Sequence, residues 1–318
     1  MTSFDKTELG IRAKDLGFIR DTLEKVLRLN EILSFINSDP LLAQTLALKG
    51  GTAINLTVFD LPRLSVDIDL DYCRNDSLEE MTANRKQITE VLGRYLVSAG
   101  YHPSSKTREH HSLDGMVWAY TNAAGVNDNI KVEINYSMRA HLFPTEQRQI
   151  MLPSSGTVTT LAPVEIFASK IVALLTRAAA RDLYDIDRMV QTDLFAGDLD
   201  QLRSSVVFYL AVGTDVVPDP TDFSRLHALT PRKIRTDLQP VLRKRDWFDL
   251  SAAQHRVTDF LASLLQLNAS EQKFIDAFNN GEWKPELILR DEALSRVANH
   301  PMAVWKLELK QGLPTSSD

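Results

Sequence analysis

The chain has 318 residues, 44% hydrophobic and 25% charged, with 13 Gly and 13 Pro; this excludes collagen-like, low-complexity and wholly disordered proteins and is more than one compact core usually holds. Its 36 Lys and Arg against 42 Asp and Glu give a net charge of −6, so any grip on nucleic acid must come from a local patch. A single cysteine, Cys73, excludes an internal disulfide and a multi-cysteine zinc site.

No apolar run approaches the roughly 18 residues of a membrane span, and the polar start Met1-Thr2-Ser3-Phe4-Asp5-Lys6 has no apolar segment behind it. The expectation is a cytoplasmic protein without a membrane partner.

In chain order, Leu16, Ile19, Leu23, Val26, Leu27 and Leu33 recur at helical steps, which predicts one amphipathic helix over residues 14–35, broken at Asp39-Pro40. After a short helical turn comes Lys49-Gly50-Gly51-Thr52. Its two glycines permit a tight turn, and Thr52 is expected to cap a helix starting just after it. Residues 64–72 alternate strictly, Leu-Ser-Val-Asp-Ile-Asp-Leu-Asp-Tyr, so a strand would carry Ser65, Asp67, Asp69 and Asp71 on one face. Residues 76–100 read as a helix. Residues 116–121 and 130–137 read as strands, with Lys131, Glu133 and Asn135 sharing a face in the second.

Pro153-Ser154-Ser155-Gly156 marks an expected boundary between domains at 1–155 and 156–318. Beyond it the pattern is almost wholly helical, over 165–179, 182–190, 199–210 and on to about Phe278. The expected class is α+β: a small mixed sheet with N-terminal helices, then a mostly α-helical C-terminal domain. The four tryptophans, Trp118, Trp247, Trp283 and Trp305, are dispersed and expected to pack in cores or between domains.

Three aspartates on one strand face repel one another. Either the face is solvated, or a divalent cation lies on it, and carboxylates without His or Cys select Mg²⁺ or Mn²⁺. The glycine turn favours the cation, because backbone N–H groups exposed at such a turn bind phosphate, and phosphates travel with their metal.

Lys49-Gly50-Gly51-Thr52-Ala53, Arg63-Leu64-Ser65-Val66-Asp67-Ile68-Asp69-Leu70, Glu165-Ile166-Phe167-Ala168-Ser169-Lys170 and Arg181-Asp182-Leu183-Tyr184-Asp185 stand in this order. Together they resemble the AbiEii/AbiGii toxin family of nucleotidyltransferases, which with its MenT relatives belongs to the DNA polymerase β-like superfamily. The resemblance covers roughly residues 45–190. Thr52 stands where many superfamily members have Ser.

The resemblance implies a small sheet with catalytic acids at its rim and a helical domain closing a cleft. Asp67 and Asp69 would hold two Mg²⁺ ions, with Glu133 the choice for a third carboxylate. Gly50, Gly51 and Thr52 would lie on the phosphates of a nucleoside triphosphate, and Ser65 would touch phosphate or a metal-bound water. Asp71, nearer the strand's end, is expected to be solvated. Lys170 either snorkels to solvent or binds the triphosphate. Asp182 is an active-site acid or a partner for Lys170, unless Asp182 and Asp185 only cap and pair along their own helix.

The implied activity is transfer of a nucleoside monophosphate to RNA, the 3′ end of tRNA foremost, by a toxin of a toxin–antitoxin or phage-defence system with a cognate antitoxin protein. Residues 225–245 hold Arg225, Arg232, Lys233, Arg235, Arg243, Lys244 and Arg245 against Asp237 alone; they are either an RNA-binding patch or a solvated face. Two other readings stay open: an Asp-x-Asp metal-dependent glycosyltransferase, and a non-catalytic nucleotide- or RNA-binding regulator.

Overall fold

A computed structural model describes residues 4–152 and 155–310; Pro153 and Ser154 of the expected boundary lie outside the described residues. The fold is mixed α+β and forms two compact units. One holds residues 4–139, 145–161 and 239–246; the other holds 140–144, 162–238 and 247–310.

The first unit begins with α1 (Lys6–Leu16), capped by the Asp5 carboxylate on the N–H groups of Thr7 and Glu8, and α2 (Arg20–Ser38). The single helix expected over 14–35 is therefore two. Gly17, at φ +81°, ends α1 in the left-handed region, and the extended Ile19 starts α2. Asp39 caps α3 (Pro40–Thr45), with Pro40 in the first turn where its missing N–H costs nothing.

Then follow β1 (Leu46–Lys49), α4 (Gly50–Ala53) with a further wide turn to Val58, and β2 (Asp67–Tyr72). The helix α5 (Leu78–Ser98) starts in a Ser77–Glu80 capping box. The remaining strands are β3 (His102–Pro103), β4 (Arg108–His110), β5 (Leu113–Thr121), β6 (Asn127–Asn135), β7 (Glu146–Gln149) and β8 (Thr157–Thr160).

The sheet runs β3-β5-β6-β2-β1-β8-β7, with β4 on β5. β2 lies between antiparallel β1 and parallel β6, so Ile68, Leu70, Val132 and Ile134 are buried while their alternate neighbours face the other way. Residues just past 156, placed in the expected helical domain, form β8, whose Thr160 pairs with Leu48 of β1.

The second unit is helical: α6 (Pro163–Thr176), α7 (Ala180–Gln191), α8 (Leu199–Gly213), the short α9 (Ser224–His227) and α10 (Pro231–Lys233), α11 (Leu250–Leu264), α12 (Ala269–Asn279), α13 (Asp291–Val297) and α14 (Pro301–Lys310). Glu165 is fully buried in the first turn of α6. It accepts from the Leu142 N–H at 2.7 Å, the Phe143 N–H at 3.2 Å and the Tyr209 hydroxyl at 2.6 Å, which ties residues 140–144 and α8 to α6. Asp187 joins α7 to α11 by a two-pronged bond from Arg256 at 2.9 and 3.0 Å. Trp283 packs against Phe208, Phe274 and Phe278. Trp247, expected to pack in a core or between domains, is 75% exposed. Among the described residues no helix is long and apolar enough to cross a membrane.

Candidate active site

Asp67 and Asp69 project from one face of β2, roughly 7 Å apart along the strand. The β2–β6 register sets Asp67 beside Lys131 and Asp69 beside Glu133. All four are half-buried. Lys131 Nζ lies 2.7 Å from Glu133 Oε2, so the glutamate's oxygen is held by an ammonium. Burial works against that ammonium, but Glu133, with Asp67 and Asp69, keeps its pKa above the ordinary lysine value. Among the described residues, no three His, Cys, Asp or Glu side chains gather closely enough to hold a metal ion.

Asp71 continues the same alternation but is buried, not solvated as expected. Its carboxylate pairs with Lys49, the last residue of β1. The sequence reading missed this because β1 itself was not foreseen. Burial opposes the Lys49 charge, yet Asp71, and then Asp69, hold its pKa above the usual value.

The glycine turn is built against this strand. Gly50 sits at φ +68°, and a Cβ placed on it would stand 2.6 Å from Asp69 Oδ2. A Cβ on Gly51 would stand 2.7 Å from Arg63 Nη2 and 3.2 Å from Ser65 Oγ. A side chain on Gly51 would have to displace the Arg63 guanidinium, and one on Gly50 the Asp69 carboxylate, while Gly50 is also favoured by its left-handed backbone. Thr52 is inside α4 rather than its cap, which is Lys49. Its buried hydroxyl donates to the Asp67 carbonyl, stitching the turn to the start of β2. Ser65 lies ahead of β2 rather than within it, buried beside Gly51.

In the helical unit, Lys170 of α6 does not snorkel. It is 8% exposed, with Nζ at 3.0 Å from Asp182 Oδ1 and 3.2 Å from Asp185 Oδ2 on α7. Arg177 adds a bond from Nε to Asp182 Oδ2 at 2.9 Å. Burial would raise the Asp182 pKa, but Lys170 and Arg177 prevail and hold it below the usual carboxylate value. Arg181 donates from Nε to the Asp237 carbonyl at 2.8 Å, fastening the turn after α10 to α7.

The basic stretch is divided between the two units. Arg225, Arg232, Lys233 and Arg235 are exposed in the helical unit, whereas residues 239–246 belong to the sheet unit. There Arg243 is used internally: its Nη2 donates to the Leu61 carbonyl at 3.2 Å, and its guanidinium covers the Phe18 ring at 5.7 Å.

No curated protein matches the sequence. Among solved structures, MenT4, a nucleotidyltransferase toxin of Mycobacterium tuberculosis H37Rv, is similar over 95% of this chain and 99% of its own, with a TM-score of 0.62 and 19% identity; at that identity the likeness is one of fold. A candidate nucleotidyltransferase from H. pylori shares 19% identity over 76% of this chain and 96% of its own, at a TM-score of 0.48 too low to build on. The family model for the nucleotidyl transferase AbiEii toxin of type IV toxin–antitoxin systems matches residues 31–240, more than half the chain, and spans the glycine turn, the acidic strand and the Lys170 helices. The chain belongs to the AbiEii toxin family of nucleotidyltransferases.

Proposed function

We propose that this nucleotidyltransferase moves a nucleoside monophosphate from a nucleoside triphosphate to a hydroxyl of RNA, the 3′ end of tRNA, releasing pyrophosphate. The observation that carries the reading is the contact between Gly50 and Asp69: the turn that would take the phosphates lies directly against the acidic strand. Gly50 and Gly51 would meet the phosphates through backbone N–H groups. Thr52 would contribute its backbone there, its hydroxyl being spent on the Asp67 carbonyl. Ser65 would sit beside them.

The donor set fits a hard divalent cation, Mg²⁺ or Mn²⁺, because Asp67 and Asp69 offer only carboxylate oxygens from one face. Glu133 could join them after giving up its bond to Lys131. Such ions would neutralise the triphosphate and make the attacking hydroxyl more acidic. Lys170 would bind the triphosphate as a compact charge, kept in place by Asp182 and Asp185.

RNA is supported by the exposed cations Arg225, Arg232, Lys233 and Arg235 and by the exposed Trp247, an aromatic face on which a base can stack. A toxin of this kind would act in the cytoplasm, be restrained by a cognate antitoxin protein and serve in phage defence. Incubation with each α-labelled nucleoside triphosphate, Mg²⁺ and total RNA tests the reading. Label on RNA, lost when Asp67 is changed to Asn, is expected; label on protein alone, or none with any nucleotide, would contradict it.

A further inference from the structure

Lys131 and Glu133 stand two apart on β6, on the sheet face that also carries Asp67 and Asp69. The register sets Lys131 directly beside Asp67, so this acidic face carries a cation of its own. Lys131 Nζ lies 2.7 Å from Glu133 Oε2, and Asp67 and Asp69 attract the same charge. The other oxygen of Glu133 has its place too. On β5 the register sets Gly115 opposite Glu133, and a Cβ on that glycine would come 3.8 Å from Oε1. Glu133 thus rests between an ammonium and the bare backbone of β5. Among the described residues no three acids gather closely enough to hold a metal ion.

The pair is half-exposed, its side chains 43% and 28% accessible, and such a pair adds little to stability. It is strong enough to set the resting place of Glu133 and weak enough to open. A lone dication approaching Asp67 and Asp69 meets the ammonium beside them, and like charges a few ångströms apart repel where water is partly excluded. A nucleoside triphosphate brings several negative charges and reverses the balance. Lys131 can then turn to a phosphate oxygen, which releases Glu133 toward the aspartates.

We propose that Lys131 makes divalent-cation binding depend on the nucleotide, by holding Glu133 off the aspartates until a triphosphate offers the ammonium another partner. Lys131 is a positioning residue that acts through Glu133. The proposal rests on the nucleotide-transfer reading above and adds an order of assembly to it.

The first measurement is Mn²⁺ binding to the full chain without nucleotide, read from the loss of the free ion's electron paramagnetic resonance signal. Wild type, Lys131→Met, Glu133→Gln and the double variant are compared. Lys131→Met keeps a stem of similar reach without the charge, and should bind Mn²⁺ about tenfold more tightly than the wild type. In the double variant most of that gain should vanish, because the freed carboxylate is its source. A lysine acting only as a nearby charge would give the same gain whether or not Glu133 is changed. The second measurement is calorimetry with a triphosphate methylene-bridged between its α- and β-phosphates, which cannot be turned over. Mn²⁺ should raise its affinity at least about threefold more in the wild type than in Lys131→Met.

Unchanged Mn²⁺ affinity in a folded Lys131→Met, a gain that survives Glu133→Gln, or equal coupling to the nucleotide in both proteins would each overturn the proposal. Should Lys131→Met fail to fold, Lys131→Gln is read by the same criteria. Label on RNA from the wild type, beside any of these three results, removes only the role given to Lys131. Absence of transfer by the wild type contradicts the underlying reading itself.

Discussion

Gly50 and Asp69 touch because the glycine has no side chain: its Cβ position lies 2.6 Å from the Asp69 carboxylate, and its φ is +68°. Gly50→Ala meets two penalties at once, roughly 1–2 kcal/mol for a left-handed backbone and the displacement of Asp69. The expected outcome is a folded protein destabilised by about 1–3 kcal/mol in urea denaturation, with transfer reduced far more than that loss explains. Wild-type transfer in the variant would separate the turn from the acidic strand.

Asp67→Asn or Asp69→Asn should abolish transfer and leave the fold intact. In Asp67→Asn, Lys131 keeps its bond to Glu133, so without Mg²⁺ the melting temperature should stay near that of the wild type. Full activity in either variant would remove these aspartates from the chemistry.

Lys170→Ala leaves Asp182 and Asp185, 2% and 1% exposed, without the ammonium that joins them. Breaking such a buried arrangement costs about 3–5 kcal/mol, measurable by denaturation of the whole chain. Lys170→Arg should restore part of the stability but not the transfer rate at saturating nucleotide, because a planar fork does not replace a compact ammonium. Wild-type kinetics for the Arg variant would assign Lys170 to structure alone.

Asp182 also predicts an acid limb in stability. Burial raises its pKa, but Lys170 and Arg177 outweigh burial and the net shift is downward. A carboxyl with a depressed folded pKa stabilises above its unfolded value of about 3.9 and loses that contribution as pH falls through the folded value. Stability should therefore drop below about pH 4, and in Asp182→Asn that part of the slope should disappear. An identical acid limb in the variant would point to other carboxylates.

Some of this was readable in the sequence for a physical reason. The alternation in β2 put Asp67 and Asp69 on one face, because strand side chains alternate strictly. Lys131 and Glu133 shared a face by the same rule, but their ion pair is a matter of rotamers, which alternation does not report. Asp71 was misread because its partner, Lys49, ends a four-residue strand hidden between a helical turn and two glycines. The same brevity concealed β8, and with it the sheet's far edge. The break at Gly17 was overrun because apolar spacing stays in phase across it, and only the left-handed φ marks the end of α1. Arg63 stood in the motif that leads into the acidic strand, but its burial was not readable there, because it depends on Gly51, twelve residues back, and on Leu242, far along the chain.

The most direct test of the account compares intact tRNA with tRNA whose terminal 3′ ribose has been oxidised by periodate, each incubated with the protein, Mg²⁺ and α-labelled nucleoside triphosphates. The account predicts label on the intact tRNA, none on the oxidised tRNA, and none on either with Asp67→Asn. Equal labelling of both tRNAs would place the acceptor elsewhere on the RNA, and no labelling of intact tRNA with any nucleotide would contradict tRNA as the acceptor.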